Sequence, residues 1–496
     1  MGFRARKIRN INLFDGPADH HNAFTIVVGD NGSGKTNLLI DTTQYYLTQY
    51  DELLNPRTIK ERRELKHALR AGGFIAALNL LQTKQLPNKL ICASTSQFER
   101  FPHKFNKNQR WYSQLYSYIG SKPYYPDVSP AFRIGATAIS QLFAYDSLDN
   151  RKISALVRFL EEFNFGSTLK LKFRPTIKEK ELQQFRKTNP EWVSLYNQSK
   201  LLTHDKKIGQ VSSDATQEES NELSLESKLI LKNASEDFEH DEILDLLYKL
   251  EHVHHQPEIL VGLNDSQLIT YSAESGHADL GYTKRDISQL LLAGLIVIED
   301  IKTVKNQPSN SYKLSKDAKV QSLSSRSSGE QCLFLLFLGI LSSIENQSLI
   351  LIDEPEISLH PSWQQRFVEI LRSSLKNFTG CHFIIATHSP LIVSDISSQY
   401  CQILDIKNNI LFDAKEQFHR SSDYQLATIF GNPGHYNEYL LKSAMYVFSK
   451  YRTNLSFDEG DCLILIELNK HLNDLDETDP VKVLVSLLNE VKARHG

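Results

Sequence analysis

Residues 29–36 read Gly29-Asp30-Asn31-Gly32-Ser33-Gly34-Lys35-Thr36, a complete G-x-x-x-x-G-K-T phosphate loop. Its flanks have the form the mechanism needs. Phe24-Thr25-Ile26-Val27-Val28 is apolar and β-branched and predicts a buried strand. Asn37-Leu38-Leu39-Ile40-Asp41 opens a predicted helix. Glycines let backbone N–H groups curl around a triphosphate, and a helix start adds its positive end. In this pattern Lys35 reaches the β- and γ-phosphates and the Thr36 hydroxyl ligates Mg²⁺. ATP and Mg²⁺ are therefore the expected cofactors.

The chain has 496 residues, which at about 150 per domain predicts roughly two to four domains. Hydrophobic residues make up 41%, enough for large cores. The net charge of −3 excludes a uniformly basic, DNA-coating surface. The five cysteines (Cys92, Cys332, Cys381, Cys401, Cys462) are far apart and read as reduced, buried thiols. No apolar run reaches 18 residues, and Met1 to Lys7 leads into an alternating strand, Ile8 to Phe14, not a signal core. Arg6 stands where a myristoylation site wants Ser or Thr. A cytoplasmic protein with no membrane partner is expected.

Four segments are expected. Residues 1–100 are the N-terminal half of an ATPase lobe and end on a second strand, Lys89 to Ser94. Residues 101–316 are a mainly helical insertion, 317–420 the C-terminal half of the lobe, and 421–496 a helical, partner-binding tail. Asn55 to Arg70 holds six basic and two acidic residues and reads as a solvated helix face or as a contact for nucleic acid or an acidic partner. Aromatic and basic residues interleave in the insertion (Trp111-Tyr112, Tyr124-Tyr125, then Lys170, Lys172, Arg174, Lys178, Lys180). A polar exterior on a helical core explains them more simply than nucleic-acid binding. Gly209 to Leu223 is a polar break. His252, His254 and His255 read as a loop cluster, since no Cys or carboxylate stands at clear ligand spacing.

The chemistry returns after residue 320. Ser348-Leu349-Ile350-Leu351-Ile352-Asp353-Glu354-Pro355 is an apolar strand ending in two acids, a Walker B form expected beside the phosphate-loop strand. Asp353 would land near Mg²⁺, and Glu354 would polarise the attacking water as general base. Ser327-Ser328-Gly329-Glu330-Gln331 precedes a long apolar helix. It is a good N-cap, and the same physics makes it a γ-phosphate sensor acting on a second subunit's ATP. Phe383-Ile384-Ile385-Ala386-Thr387-His388 is a third buried strand, and His388 could bond the γ-phosphate or the attacking water. Gln97, after the second strand, is a candidate hinge glutamine.

This ordered set resembles the ABC/SMC-type ATPase superfamily: Gly29-x-Asn31-Gly32-x-Gly34-Lys35-Thr36, Ser327-Ser328-Gly329-Glu330-Gln331, Asp353-Glu354-Pro355 and Thr387-His388. Ile352 to Pro361 and Ala386 to Pro390 look like its defence-associated branch, the overcoming-lysogenization-defect nucleases and Septu-type ATPases. Asp423 to Leu440, with Ile429-Phe430-Gly431-Asn432-Pro433-Gly434, looks most like the Septu ATPase (PtuA-like), including retron-associated relatives. The resemblance covers roughly residues 1–100 and 320–440. It implies an α/β fold: an ATPase head with a largely helical insertion between two lobes and a helical tail. It also implies that Asn31, Gly32, Gly34, Lys35 and Thr36 hold the nucleotide, Thr36 and Asp353 the metal, Glu354 the water, Ser327 and Gly329 the opposite nucleotide, and His388 the γ-phosphate. Arg326 departs from the family, which often has Leu there.

A Toprim nuclease would need a strand-end Glu and, well downstream, an Asp-x-Asp. Glu467 and Asp474-Leu475-Asp476 are only seven residues apart, so a helical tail is expected, and no His-Asn-His pattern exists. The resemblance therefore implies an HNH-type nuclease as a separate partner, alongside a second copy of the chain and nucleic acid (DNA, or retron RNA/DNA). The rival expectations are a DNA-repair or recombination ATPase, or a nucleotide-locked scaffold with little turnover.

Overall fold

The computed structural model describes residues 2–55, 63, 65–67, 86–96, 100–103, 112–122, 128–144, 149–188, 224–264, 267–272, 280–305, 319–394, 400–417 and 420–495. Its strands are β1 (Lys7–Ile8), β2 (Ile11–Asn12), β3 (Ala23–Val28), β4 (Leu90–Ser94), β5 (Tyr116–Ile119), β6 (Thr168–Pro175), β7 (Glu258–Asn264), β8 (Gln267–Ser272), β9 (Ile296–Lys305), β10 (Lys319–Ser322), β11 (Leu349–Asp353), β12 (His382–Ala386), β13 (Cys401–Asp405) and β14 (Ile410–Asp413). The chain forms two compact units. The first comprises Met1–Pro87, Asn346–Ser373 and Thr379–Gly496; the second comprises Asn88–Glu345 and Ser374–Phe378.

In the first unit the strands run in the order β14-β13-β3-β12-β11. β13, β3, β12 and β11 pair in parallel, and β14 closes the edge antiparallel to β13. Every residue of β3, β11 and β12 is buried. That is why these segments read as continuous apolar runs and not as alternations: a parallel sheet is covered on both faces. Phe24 and Phe383 are register partners and stack at 4.7 Å. Each such buried side chain contributes about 1.5–3 kcal/mol.

The Walker B strand is not beside the phosphate-loop strand, as the sequence suggested. β12 lies between β11 and β3. The expected single strand Ile8 to Phe14 is also broken. It is a β1–β2 hairpin turning at Arg9, whose φ is 52°.

The tail is helical: Ser422–Thr428, Glu438–Asn454, Glu459–Lys470 and Pro480–His495. These helices close on a small core of Leu440, Ala444, Val447, Leu465, Val481 and Leu488. Glu467 sits on a helix there and pairs with Lys470, so it does not end a strand.

The second unit holds the parallel pair β4–β5 and an antiparallel sheet ordered β10-β9-β6-β7-β8. The expectation of a mainly helical insertion missed that sheet. Leu169, Leu171 and Phe173 of β6 point into the core and alternate with Lys170, Lys172 and Arg174. The apparent basic cluster is one face of a strand with a period of two. Both lysines have acidic partners: Lys170 pairs with Glu258 at 2.8 Å and Lys172 with Glu299 at 2.8 Å.

The helix Ser328–Ser343 also belongs to the second unit, so the expected boundary at 316/317 does not coincide with the observed division. Residues Leu333 to Leu341 of that helix are buried all round, as in a core helix, and Phe159 stacks on its Phe334 and Phe337. His252, His254 and His255 are not in a loop. They form the last turn of the helix His240–His255, and His254 Nε2 lies 2.9 Å from the carbonyl of Ile177. Cationic or donor side chains suit a helix C-terminus.

Gln97, Trp111, Tyr124, Tyr125, Gly209 to Leu223 and most of 55–70 lie outside the described residues. Among those described, no helix is long and apolar enough to cross a membrane, and all five cysteines are free, three of them buried.

Candidate active site

β3 delivers the chain to the loop. Gly29 has φ 150°, Gly32 79° and Gly34 96°, and all three lie in the region that disfavours a side chain. A Cβ at Gly29 would stand 2.8 Å from Ser33 Oγ and 2.9 Å from Ile406 Cγ2. Nothing lies within 4 Å of the Cβ positions of Gly32 and Gly34, so the loop backbone there faces open space. Gly34 caps the helix Lys35–Leu54 with its left-handed torsions and offers no side-chain cap. The first N–H groups of that helix keep no side-chain partner at the cap, which is what an anion site requires. Asn31 is exposed in the same turn.

Lys35 is buried. Its Nζ donates to the carbonyls of Gly29 at 2.8 Å and Asp30 at 3.1 Å, and stands 3.2 Å from His388 Nδ1. Burial pulls its pKa down, against the raising effect of Glu354, Glu356, Asp30 and Asp353. The next residue reaches the Walker B strand: the Thr36 hydroxyl lies 3.1 Å from both Asp353 carboxylate oxygens.

Burial pushes the Asp353 carboxyl up to about 7, with neighbouring Glu354 and Glu356 adding to the effect and the Thr36 hydroxyl opposing it. Burial likewise raises Glu356. Asp353, with the Thr36 hydroxyl on it beside the phosphate loop, is an oxygen donor for a cation. Among the described residues no three His, Cys, Asp or Glu side chains could hold one alone. That donor set fits Mg²⁺, which takes one or two protein oxygens and completes its shell with phosphate and water. The buried Ser33 Oγ, with no hydrogen-bond partner among the described residues, also suits a phosphate-lined loop.

Glu354 stands just beyond β11 with φ 47°. A left-handed non-glycine residue costs about 1–2 kcal/mol. Its N–H donates to the carbonyl of Ala386 at 2.9 Å, extending the β11–β12 ladder by one rung. His388, two residues past β12, faces both partners. Nδ1 meets Lys35, and Nε2 lies 3.5 Å from Glu354 Oε1. Burial first and Lys35 second pull the His388 pKa down, which favours neutral imidazole. With Nδ1 accepting from the ammonium, the ring proton belongs on Nε2, toward Glu354.

The first unit thus brings Lys35, Thr36, Asp353, Glu354 and His388 together. Ser327 and Gly329 belong to the second unit. There Ser327 is an exposed N-cap: its Oγ accepts from the Glu330 N–H and the Glu330 side chain accepts from the Ser327 N–H, while Gly329 is buried. Arg326 stacks over Phe165 at 5.2 Å.

Sequence reading missed two contacts. Lys407 Nζ pairs with Asp30 Oδ2 at 2.9 Å, from a turn pinned by Asp405. Glu356 Oε1 accepts the His388 N–H at 2.5 Å. Glu356 stands in the Walker B run, but a bond to a backbone group 32 residues away leaves no local signal.

Residues 160–394 match the model of a known family. It is described as "AAA domain, putative AbiEii toxin, Type IV TA system". The match takes in the Walker B strand and His388 and starts after the phosphate loop. The chain is also similar to two curated proteins. It is 29% identical over 191 residues to the "Retron Vc95 probable ATPase" of Vibrio cholerae serotype O1 biovar El Tor, covering 35% of this chain and 36% of that protein. It is 38% identical over 82 residues to the "Retron Ec83 probable ATPase" of Escherichia coli, covering 16% of this chain and 14% of that protein. The matched stretches therefore span about a third of the first relative and less of the second. An AAA-type ATPase domain and retron-associated relatives are what these similarities support.

Proposed function

We propose that this protein binds and hydrolyses Mg²⁺–ATP and that its nucleotide state controls a partner nuclease in an anti-phage defence system of the retron or Septu kind. The observation that carries the reading is the meeting of Lys35, Thr36, Asp353, Glu354 and His388 around an open, glycine-lined loop. The loop N–H groups and Lys35 hold the phosphates. Thr36 and Asp353 hold Mg²⁺, which supplies neutralising charge at the phosphate oxygens. Glu354 takes the proton of the attacking water as that oxygen bonds to the γ-phosphorus and the bond to ADP breaks. His388, proton on Nε2, orients Glu354 and the γ-phosphate side of the site.

The exposed Ser327 cap supports a second role, with Ser327 and Gly329 closing on the ATP of another copy. The tail leaves Met445, Tyr446, Leu463 and Ile466 exposed, which supports a partner-binding surface there. The relatives' names support a retron setting. The pairing of Lys170 and Lys172 with glutamates speaks against a DNA-gripping insertion.

Two measurements test this. Glu354→Gln should keep ATP binding, stabilise an ATP-held dimer and lose turnover by roughly a hundredfold or more; unchanged turnover removes Glu354 as the base. Purification from native cells should recover a nuclease with the protein; recovery of the protein alone rejects the controlling role.

A further inference from the structure

We propose that Glu356 is a positioning residue that sets His388 for hydrolysis, by acting as a side-chain rung between the Walker B turn and the switch loop. The proposal rests on the reading of His388 given above. β11 and β12 pair in register up to Asp353 and Ala386. The Glu354 N–H adds one more bond, to the Ala386 carbonyl. The next rung of a parallel ladder would take the His388 N–H to the Glu354 carbonyl, but the chain turns at Glu354, whose φ is 47°, and the His388 N–H goes elsewhere. Glu356 bridges the gap with its side chain: Oε1 accepts the His388 N–H at 2.5 Å. The turn is held from behind as well, since the Leu359 N–H donates to the Glu356 carbonyl at 2.9 Å.

The Glu356 carboxyl is buried, with the Thr387 side chain and its own backbone N–H beside it as well as the His388 N–H. A buried carboxyl is costly, and a hydrophobic residue would pack there at lower cost. What the carboxyl supplies is an acceptor at one point. That point fixes the backbone of His388, and with it the distances from Nδ1 to Lys35 and from Nε2 to Glu354. The function needs an acceptor of the right reach. It does not need a negative charge.

Reach and charge separate in Glu356→Gln, which keeps an acceptor oxygen at the same length, and Glu356→Asp, which keeps the charge on a shorter arm. The full chain is assayed for ATP turnover at saturation and for affinity toward a non-hydrolysable ATP analogue. Glu356→Asp and Glu356→Ala should lose roughly tenfold to a hundredfold in kcat. Analogue affinity should stay within about threefold, and Glu356→Gln should stay within about threefold of the parent in turnover. In a His388→Ala background, Glu356→Ala should cost nothing further, because its effect runs through His388.

Three results overturn the proposal while leaving the ATPase reading intact: Glu356→Gln as slow as Glu356→Asp, full additivity with His388→Ala, or Glu356→Ala and Glu356→Asp as fast as the parent. Should Glu356→Ala fail to fold, the Gln and Asp pair decides alone. Normal turnover in His388→Ala would instead reject the role given to His388, and the proposal with it.

Discussion

Thr36 and Asp353 stand 317 positions apart, and the Thr36 hydroxyl donates between both oxygens of the Asp353 carboxyl, 3.1 Å from each. The contact joins the end of the phosphate loop to the end of β11 across an intervening strand. Asp353→Asn keeps the shape and removes the charge. Mg²⁺-dependent turnover should fall by about a hundredfold or more. The ligand-free protein should be no less stable near neutral pH, since an uncompensated buried carboxylate is itself costly. Turnover within a few-fold of the parent, or a marked loss of thermal stability, would count against Asp353 as metal ligand.

Lys35 holds the loop closed upon itself through Gly29 and Asp30. Its ammonium lies on the loop where phosphates are expected. Lys35→Ala should weaken ATP binding by about a hundredfold. Titration calorimetry that still finds micromolar affinity would contradict the role.

Gly34 separates backbone from side-chain effects. Its φ of 96° penalises any L-residue, yet no atom lies within 4 Å of a Cβ there. Gly34→Ala should therefore cost about 1–2 kcal/mol through torsion alone. Thermal unfolding should shift down modestly and ATP affinity should fall with it. An unchanged affinity would mean that the loop keeps its cradle at another torsion.

His382 governs the acid limit of the first unit. It is wholly buried in β12, with Nδ1 accepting the Ala5 N–H at 3.1 Å and Nε2 2.9 Å from Thr25 Oγ1. Burial first, then Arg4 and Arg6, pull its pKa from 6.5 down to about 3. Between those values the unfolded chain holds a proton that the native state does not. Stability from this group is full above the ordinary histidine range and is lost as pH falls toward the lower value. Denaturant melts across that window should show the slope, and His382→Asn should flatten it while lowering stability at neutral pH. An equal slope in the variant would assign acid sensitivity elsewhere.

The legible parts of the site are those whose chemistry is written locally. The loop 29–36 declares itself because glycine torsions and a strand–loop–helix change are features of consecutive residues. Asp353 and His388 were found as strand-end residues after apolar runs. Glu356 and Lys407 were not given roles, because each acts on a backbone or side chain far along the chain. β6 misled for a related reason. Its lysines are one face of a two-residue alternation, and the acids that neutralise them sit on β7 and β9.

The order of motifs, the burial of β3, β11 and β12 and the helical tail follow from composition and period alone, since these reflect which surfaces each segment must hide from water. Only the folded chain decided that β12 stands between β11 and β3, that the insertion is built on an antiparallel sheet, and that the Glu356 side chain carries on the ladder where the chain turns at Glu354. Strand order and long-range pairing depend on which buried faces fit one another. Each segment's pattern states only that it has such a face.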